Sequence, residues 1–516
     1  MAHRPSDIFR PEHPQPRALG DLVAVFGDVR VVTGNVTGQV TGVTLASGDV
    51  RPGDLYVGIR GAHRHGAEFA VDAVRAGAVA ILTDVDGAAL AASAGVPILV
   101  VEHPRARLGA ISAWVYGTAD NPAALYGVTG TNGKTSTVYL LKAILTQLGE
   151  TAGLTSTAER HIGDRVVTST LTTPEATEMH AMLARMREVG ATSVAVEVSA
   201  QALSRHRVDG LVHDVAGFTN LSHDHLDDYG DMEGYFAAKL PLFQPDRSRR
   251  AVVSLDSAWG TRLVRDARVP VTTITSLDDG EADADWRVVV TDETPEYTAF
   301  TLTARDGRVL TTSVPLIGRH MAANAGLAIV MLMEGGHAFE RLAAVVADGI
   351  DAYLPGRAER VSGDTGPTVY VDFGHSADAF RSTLEAVNRL TAGRTIMVMG
   401  ASGDRDTTKR HEMGRVAAEG SDVLIVTDHH PRFEDPQRVR AMLLDGVVDA
   451  EHAPDEVLEI VPPEAAIRAA IERARPGDTI LWAGPGHLAY RDIRGEKVPF
   501  SARDEARAAL REAGWV

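Results

Sequence analysis

The stretch GVTGTNGKTST, residues 127–137, constrains the chain more than any other. Before it, ALYGVTG reads as a buried strand; after it, TSTVYLLKAILTQLG carries apolar residues at helical spacing. A strand, a glycine loop and a helix in that order put Gly130, Thr131, Asn132 and Gly133 at the positive end of a helix. There, small residues let backbone N–H groups approach phosphate oxygens. Lys134 is then placed to reach the β and γ phosphates, Thr135 to offer a hydroxyl to Mg²⁺, and Ser136 to stand beside them. The usual phosphate loop has a further glycine where this chain has Val128. Alone, the loop fits a kinase or a motor ATPase as well as any other user of a nucleoside triphosphate.

The rest of the chain narrows the class. Its 516 residues accommodate about three domains, and strand and helix patterns alternate throughout, so the expected fold class is α/β. A small α/β N-terminal domain is expected over 1–104, a central P-loop-type ATPase domain with a mostly parallel sheet over 105–354, and a Rossmann-like α/β domain over 355–516. YLPGRAERV looks like the hinge into the last, and the polar, proline-rich opening MAHRPSDIFRPEHPQPRALG is expected to be mobile. In the centre, TTPEATEMHAMLARMREVG predicts a helix with Thr173 as cap and Pro174 at its first position. A net charge of -18 disfavours nucleic acid or an anionic membrane as partner. Zero cysteines exclude disulfides, thiolate zinc sites and a cysteine nucleophile. No signal peptide or membrane-spanning run is apparent, so a cytoplasmic enzyme is expected.

Two further features carry charge to strand ends. Glu197 falls at the carboxyl end of SVAVEV, where ligands of open α/β sheets gather; the position suits a magnesium ligand and a structural carboxylate equally. SHDHLDDYGD packs His223, Asp224, His225, Asp227, Asp228 and Asp231 into one loop, a functional cluster or a solvated acidic one.

Taken in order, TGTNGKT, EVSAQAL, TNLSHDHLDDYGDMEGYFAAK, LPGRAERV, VDFGHSADAF, GASGDRDTTKR and DHHPRFEDP resemble the Mur ligases over nearly the whole chain. Within that family they are most similar to the MurE branch, the UDP-N-acetylmuramoyl-tripeptide synthetases of peptidoglycan synthesis. The resemblance implies phosphoryl transfer from ATP to the D-Glu carboxylate of UDP-MurNAc-L-Ala-D-Glu, then attack by an amino acid's amine on the acyl phosphate. Two anions must meet in that reaction, so Mg²⁺ and cationic side chains are needed between them.

By resemblance, Lys134, Glu197, His225 and Lys239 form the catalytic set, and Thr135, Glu197, His225 and Lys239 hold two magnesium ions. Lys239 matches a lysine that the family carbamylates with CO₂ (N6-carboxylysine), which turns an ammonium into a carboxylate that can bind a cation. Asn324, Arg357, Asp372 and His375 match ATP-side residues, although Met321 replaces a family asparagine. Ser47, Thr172, Thr173, Ser199 and Arg207 match positions that hold the UDP-MurNAc-dipeptide. Departures lie beside them: Ala200-Gln201 stand for Ser-His, and Ala46 and Gly48 for the Asp and Arg that flank Ser47.

The incoming amino acid is expected at Arg405, His430, Pro431, Arg432, Gly484 and Leu488. Diaminopimelate-adding members carry Asn and Glu where this chain has His430 and Leu488, so the distal ammonium loses its family partner. Glu434 and Asp435 are neighbouring carboxylates. The added residue is therefore meso-diaminopimelate, another basic residue (lysine, ornithine or diaminobutyrate), or homoserine. Another ligase of the superfamily, such as a folylpolyglutamate synthase, and a non-catalytic nucleotide-binding paralogue are the alternatives. A monomer acting on small molecules is expected.

Overall fold

A computed structural model describes residues 9–277 and 282–515, and the chain divides into two compact units. Of the opening segment expected to be mobile, the part before Phe9 lies outside the described residues. From there the chain is anchored: Phe9 is buried and Arg10 Nη1 donates to Asp54 Oδ1 at 2.7 Å.

The first unit comprises 1–127, 149–216 and 241–250. Its five-stranded sheet runs Arg30–Thr33, Ile98–Val100, Ala80–Thr83, Asp54–Gly58, Gly42–Thr44, parallel except for the first strand. Alternation sends Leu55, Val57, Leu82 and Leu99 to one face, against Leu108 and Ile111 of the helix Pro104–Tyr116. Tyr56, Ile81, Ile98 and Val100 go to the other, against Ala70 and Ala73 of the helix Ala70–Ala76. A parallel sheet covered on both faces needs apolar residues at every position, which is how AILT and ILV read. Later in the unit, the strands Ala152–Thr155 and Ser193–Glu197 pair in parallel, with the helix Ala176–Glu188 between them in sequence. That helix starts later than its sequence predicts. Its cap position is Glu175, and the Thr173 hydroxyl instead donates to the Glu197 carbonyl at 2.7 Å. The Thr173 oxygen accepts from Ser199 N at 3.1 Å in place of a helix N–H.

The second unit comprises 128–148, 217–240 and 251–516. The helices Lys134–Gln147 and Arg319–Glu334 pack together in it. Ser248–Ser254, Val271–Thr275 and Trp286–Glu293 run parallel, and Thr298–Ala304 and Val309–Val314 continue as an antiparallel meander. Its six-stranded sheet has the order Glu359–Arg360, Thr368–Asp372, Thr479–Ala483, Thr395–Met399, Val423–Val426, Glu456–Glu459, antiparallel only at the first pair. Helices cover both faces: Phe380 and Leu384 pack with Met397 and Leu424, while Ile467 and Ile471 pack with Ile396 and Ile480. The whole is the three-domain α/β fold expected, with a mostly parallel central sheet. No helix among the described residues is long and apolar enough to cross a membrane.

Candidate functional site

The glycine loop connects the strand Ala124–Thr129 to the helix that opens at Lys134. Gly130 (φ +149°) and Gly133 (φ +86°) take backbone conformations that disfavour side chains. A Cβ on Gly133 would meet Asn324 Oδ1 at 2.5 Å, and one on Gly130 would overlap the Thr219 hydroxyl. The loop is cast by Thr219 and Asn220: Thr131 N donates to the Asn220 carbonyl and Asn132 N to Asn220 Oδ1, each at 2.9 Å, and Thr219 Oγ1 donates to the Asn132 carbonyl at 2.6 Å. Val128, fully buried, is a core residue of the strand, so the loop here begins later than in the commoner class.

Two ammonium groups converge on this loop. Lys134 Nζ donates to the carbonyls of Gly130 (3.1 Å) and Thr131 (2.7 Å), and Lys239 Nζ donates to Gly130 at 2.8 Å. Lys239 is 1% exposed and lies 4.3 Å from the centroid of the Tyr235 ring. Arg357 Nη2 donates to Thr135 Oγ1 at 2.8 Å, and Asn132 Nδ2 donates to Ser376 Oγ at 3.4 Å. Ser136 is buried in the first turn of the helix. This concentration of cations and helix-start amides fits a polyphosphate. Asp372 spends one oxygen on Ala358 N (2.9 Å) and the other on Gly374 N (2.8 Å), so here it shapes the LPGRAER turn that carries Arg357.

His225 adopts φ +57° and joins Asp227 and Asp228 in a group whose ligand atoms lie within 4.8 Å of one another. Burial lowers the affinity of His225 for a proton, with Lys134, Lys409 and Lys239 adding to it against Asp224. A neutral imidazole results, the form that ligates a metal. Asp224, which the sequence places in the polar loop without a particular role, accepts from Lys409 Nζ at 2.7 Å; against burial, which raises it, Lys409, His225 and His375 hold its carboxyl well below the usual range. His375, pushed down to about 4 by burial and then by Lys409, is neutral as well.

In the first unit, Glu197 accepts from Thr157 N (2.8 Å) and Thr157 Oγ1 (3.0 Å), with Thr172 Oγ1 3.0 Å from the same hydroxyl. Ser199 N donates to Thr173 Oγ1 at 3.1 Å. Arg207 Nε donates to Glu175 Oε1 at 3.0 Å. Glu197, Thr172, Thr173, Ser199 and Arg207 thus form one connected patch. Ser47 opens the short turn Ser47–Asp49, and no hydrogen bond among the described residues joins it to that patch.

The residues expected for the amino acid surround a single cavity in the second unit, at the carboxyl ends of the parallel strands. Arg405, His430, Arg432, Gly484 and Leu488 line it. Pro431 is buried between His430 and Arg432, and its neighbour's carbonyl accepts from Gly403 N at 2.8 Å, pinning this loop to the one bearing Arg405. Burial and then the adjacent Arg405 lower the proton affinity of Arg432, a sign of two guanidiniums facing a common space. Neither acidic neighbour named from sequence serves the cavity. Glu434 grips Arg410 through both oxygens at 2.7 Å, and Asp435 caps the helix Pro436–Val448. Lining residues that sequence reasoning missed are His429, Tyr490, Asp492 and Asp406. Period-two spacing of Leu488, Tyr490 and Asp492 in HLAYRDI was the available signal for two of them.

A phosphate-type loop with converging lysines, and a parallel-sheet region that presents paired guanidiniums at its strand ends, define an α/β enzyme built to bring anionic substrates together. Residues 39–116 match the Mur ligase family catalytic domain, 128–332 the Mur ligase middle domain, and 356–486 the Mur ligase glutamate ligase domain. The chain belongs to the Mur ligase family and is an ATP-dependent ligase. It is similar to the UDP-N-acetylmuramyl-tripeptide synthetase of Leifsonia xyli subsp. xyli, at 61% identity over 98% of both chains. The UDP-N-acetylmuramoyl-L-alanyl-D-glutamate–2,6-diaminopimelate ligase of Streptomyces avermitilis is 43% identical over 98% of both chains. A solved structure of a ligase of the latter description superimposes with a TM-score of 0.65 at 25% identity, covering 97% of this chain and 100% of the other.

Proposed function

We propose that the chain adds the third stem-peptide amino acid to UDP-MurNAc-L-Ala-D-Glu in peptidoglycan precursor synthesis. The D-Glu carboxylate oxygen forms a bond to the γ phosphorus of ATP as the β–γ bridge breaks, releasing ADP. The amine of the incoming amino acid then attacks the acyl carbon, loses a proton and expels phosphate, leaving an amide. Gly130, Thr131, Asn132, Gly133, Lys134, Thr135 and Ser136 bind the polyphosphate, with Asn324, Arg357, Asp372 and His375 on the nucleotide side. Ser47, Thr172, Thr173, Ser199 and Arg207 hold the UDP-MurNAc-dipeptide, and Arg405, His430, Pro431, Arg432, Gly484 and Leu488 the amino acid.

By resemblance to the family, Thr135, His225 and Lys239 as its carbamate would be ligands of Mg²⁺ from the second unit, and the Glu197 carboxylate would be one from the first. Bound there, magnesium neutralises charge between the two anions. Lys239, a donor to the Gly130 carbonyl, would become an anion by uniting its neutral amine with CO₂ and releasing a proton. The domain boundaries 1–104, 105–354 and 355–516 are part of this reading, as are a monomeric state, a cytoplasmic location, and the absence of nucleic-acid and membrane partners.

The observation that carries the proposal is the meeting of Lys134 and Lys239 at one loop carbonyl. The test is phosphate release from ATP, which should require the UDP-MurNAc-dipeptide and an amino acid together; release dependent on a different carboxylate would reject the assignment.

A further inference from the structure

The cavity at Arg405 and Arg432 contains a carboxylate whose acceptor capacity is not consumed by the protein. Three aspartates line the cavity. Asp224 is held by Lys409 at 2.7 Å. Asp406 accepts from Thr408 N (2.9 Å), Thr408 Oγ1 (2.5 Å) and Leu226 N (3.3 Å). Asp492 differs: Oδ1 takes the Gly495 N–H at 3.1 Å, and the nearest cation to Oδ2 is Arg432 Nε at 3.9 Å, beyond hydrogen-bond distance. Its side chain keeps 29% exposure.

The backbone of Asp492 is fixed. Its N–H donates to His430 Nδ1 at 2.8 Å and its carbonyl accepts from Arg432 N at 3.1 Å. Because Nδ1 is the acceptor, a neutral His430 carries its proton on Nε2, which is buried and has no partner among the described residues. Burial, reinforced by Arg432, pushes His430 down to about 4, so that tautomer persists at neutral pH. One side of the cavity therefore offers donors to a carboxylate: the Arg405 and Arg432 guanidiniums and the His430 Nε2–H. The neighbouring carboxylate of Asp492 offers the opposite charge.

We propose that Asp492 accepts the side-chain ammonium of the incoming amino acid, so that the ligase selects a diamino acid over a neutral one. The inference rests on the ligase reading above. A neutral side chain would leave the Asp492 carboxylate desolvated with no new partner, whereas an ammonium makes a charge-assisted hydrogen bond. Leu488 and Tyr490, two and one alternate positions before Asp492, line the same cavity.

The experiment compares kcat/KM for diaminopimelate, lysine, ornithine and diaminobutyrate with homoserine and norleucine, using full-length enzyme, ATP and UDP-MurNAc-L-Ala-D-Glu. The best diamino acid should exceed both neutral ones by at least about 50-fold. Asp492→Asn should abolish most of that preference through KM of the amino acid, leaving KM for ATP unchanged, and Asp492→Glu should retain part of it. A neutral amino acid used as well as the best diamino acid would overturn the inference. So would an Asp492→Asn enzyme that keeps the preference, or one that weakens charged and neutral amino acids alike, which would mark Asp492 as a support for Arg432. Absence of turnover with every amino acid would overturn the ligase reading and this inference with it.

Discussion

Lys409→Met removes the ammonium that neutralises Asp224 while keeping most of the side-chain volume. Both groups are nearly out of water, with side chains 11% and 6% exposed, and their 2.7 Å contact is the closest ion pair that Asp224 makes. Removing one member of such a pair leaves an uncompensated buried charge, an effect of about 3–5 kcal/mol. The segment that bears Asp224 also leans on the same region through His223 Nε2 to Thr408 Oγ1 (2.9 Å) and Leu226 N to Asp406 Oδ2 (3.3 Å), so its local opening should report the loss. Amide exchange across 224–239 should accelerate by about 100-fold or more, the equivalent of roughly 3 kcal/mol. Asp224→Asn with Lys409→Met removes both charges and should recover at least about 2 kcal/mol of the loss expected from adding the single variants. Exchange changed by less than about 5-fold in Lys409→Met, or strict additivity in the double variant, would refute the claim that the pair acts as a buried unit.

Lys239→Ala should lose turnover, and acetate or another short carboxylic acid should restore part of it by standing in for the carbamate; unchanged activity in the variant rejects that role. Gly133→Ala places a methyl 2.5 Å from Asn324 Oδ1 on a left-handed backbone, and should weaken ATP binding by at least about 10-fold in calorimetric titration. His180, which accepts from Thr118 Oγ1 through Nδ1 (2.7 Å) and faces the Asp209 carbonyl through Nε2 (3.0 Å), is pushed by burial from 6.5 to about 4. Because the folded value is the lower one, the unfolded chain binds the proton first. The stabilisation is complete above 6.5 and is lost as pH falls towards 4, up to about 3 kcal/mol. Thermal unfolding of His180→Gln should fall less steeply across that window than the parent; an identical slope contradicts the assignment.

Much of the second unit's architecture is legible in the sequence because buried parallel strands are uninterrupted apolar runs: TIMVM and VLIV are each buried at every position. The glycine loop is equally plain, since its backbone needs glycine at Gly130 and Gly133. Local capping rules put the start of the following helix at Thr173, whereas its hydroxyl oxygen accepts from Ser199 N and its proton goes to the Glu197 carbonyl, two partners distant in sequence. Thr219 and Asn220, which cast the loop, sit far from it in sequence and carry no local signature of that task. The same holds for the amino-acid cavity. Glu434 lies beside Arg432 in the chain, yet its charge is spent on Arg410, while Asp492 reaches the cavity through a pairing of distant segments, Arg432 with Ile493. Sequence proximity is a poor guide to which carboxylate is free; hydrogen-bond occupancy decides it.

The most direct measurement is phosphate release by the purified full-length enzyme with ATP, magnesium and UDP-MurNAc-L-Ala-D-Glu, with individual amino acids added in turn. Release that depends on both the UDP-MurNAc-dipeptide and an amino acid, with stoichiometric formation of the UDP-MurNAc-tripeptide, is the predicted result. Nucleotide binding without release under any combination, or release that proceeds with another carboxylate and not with this one, would contradict it.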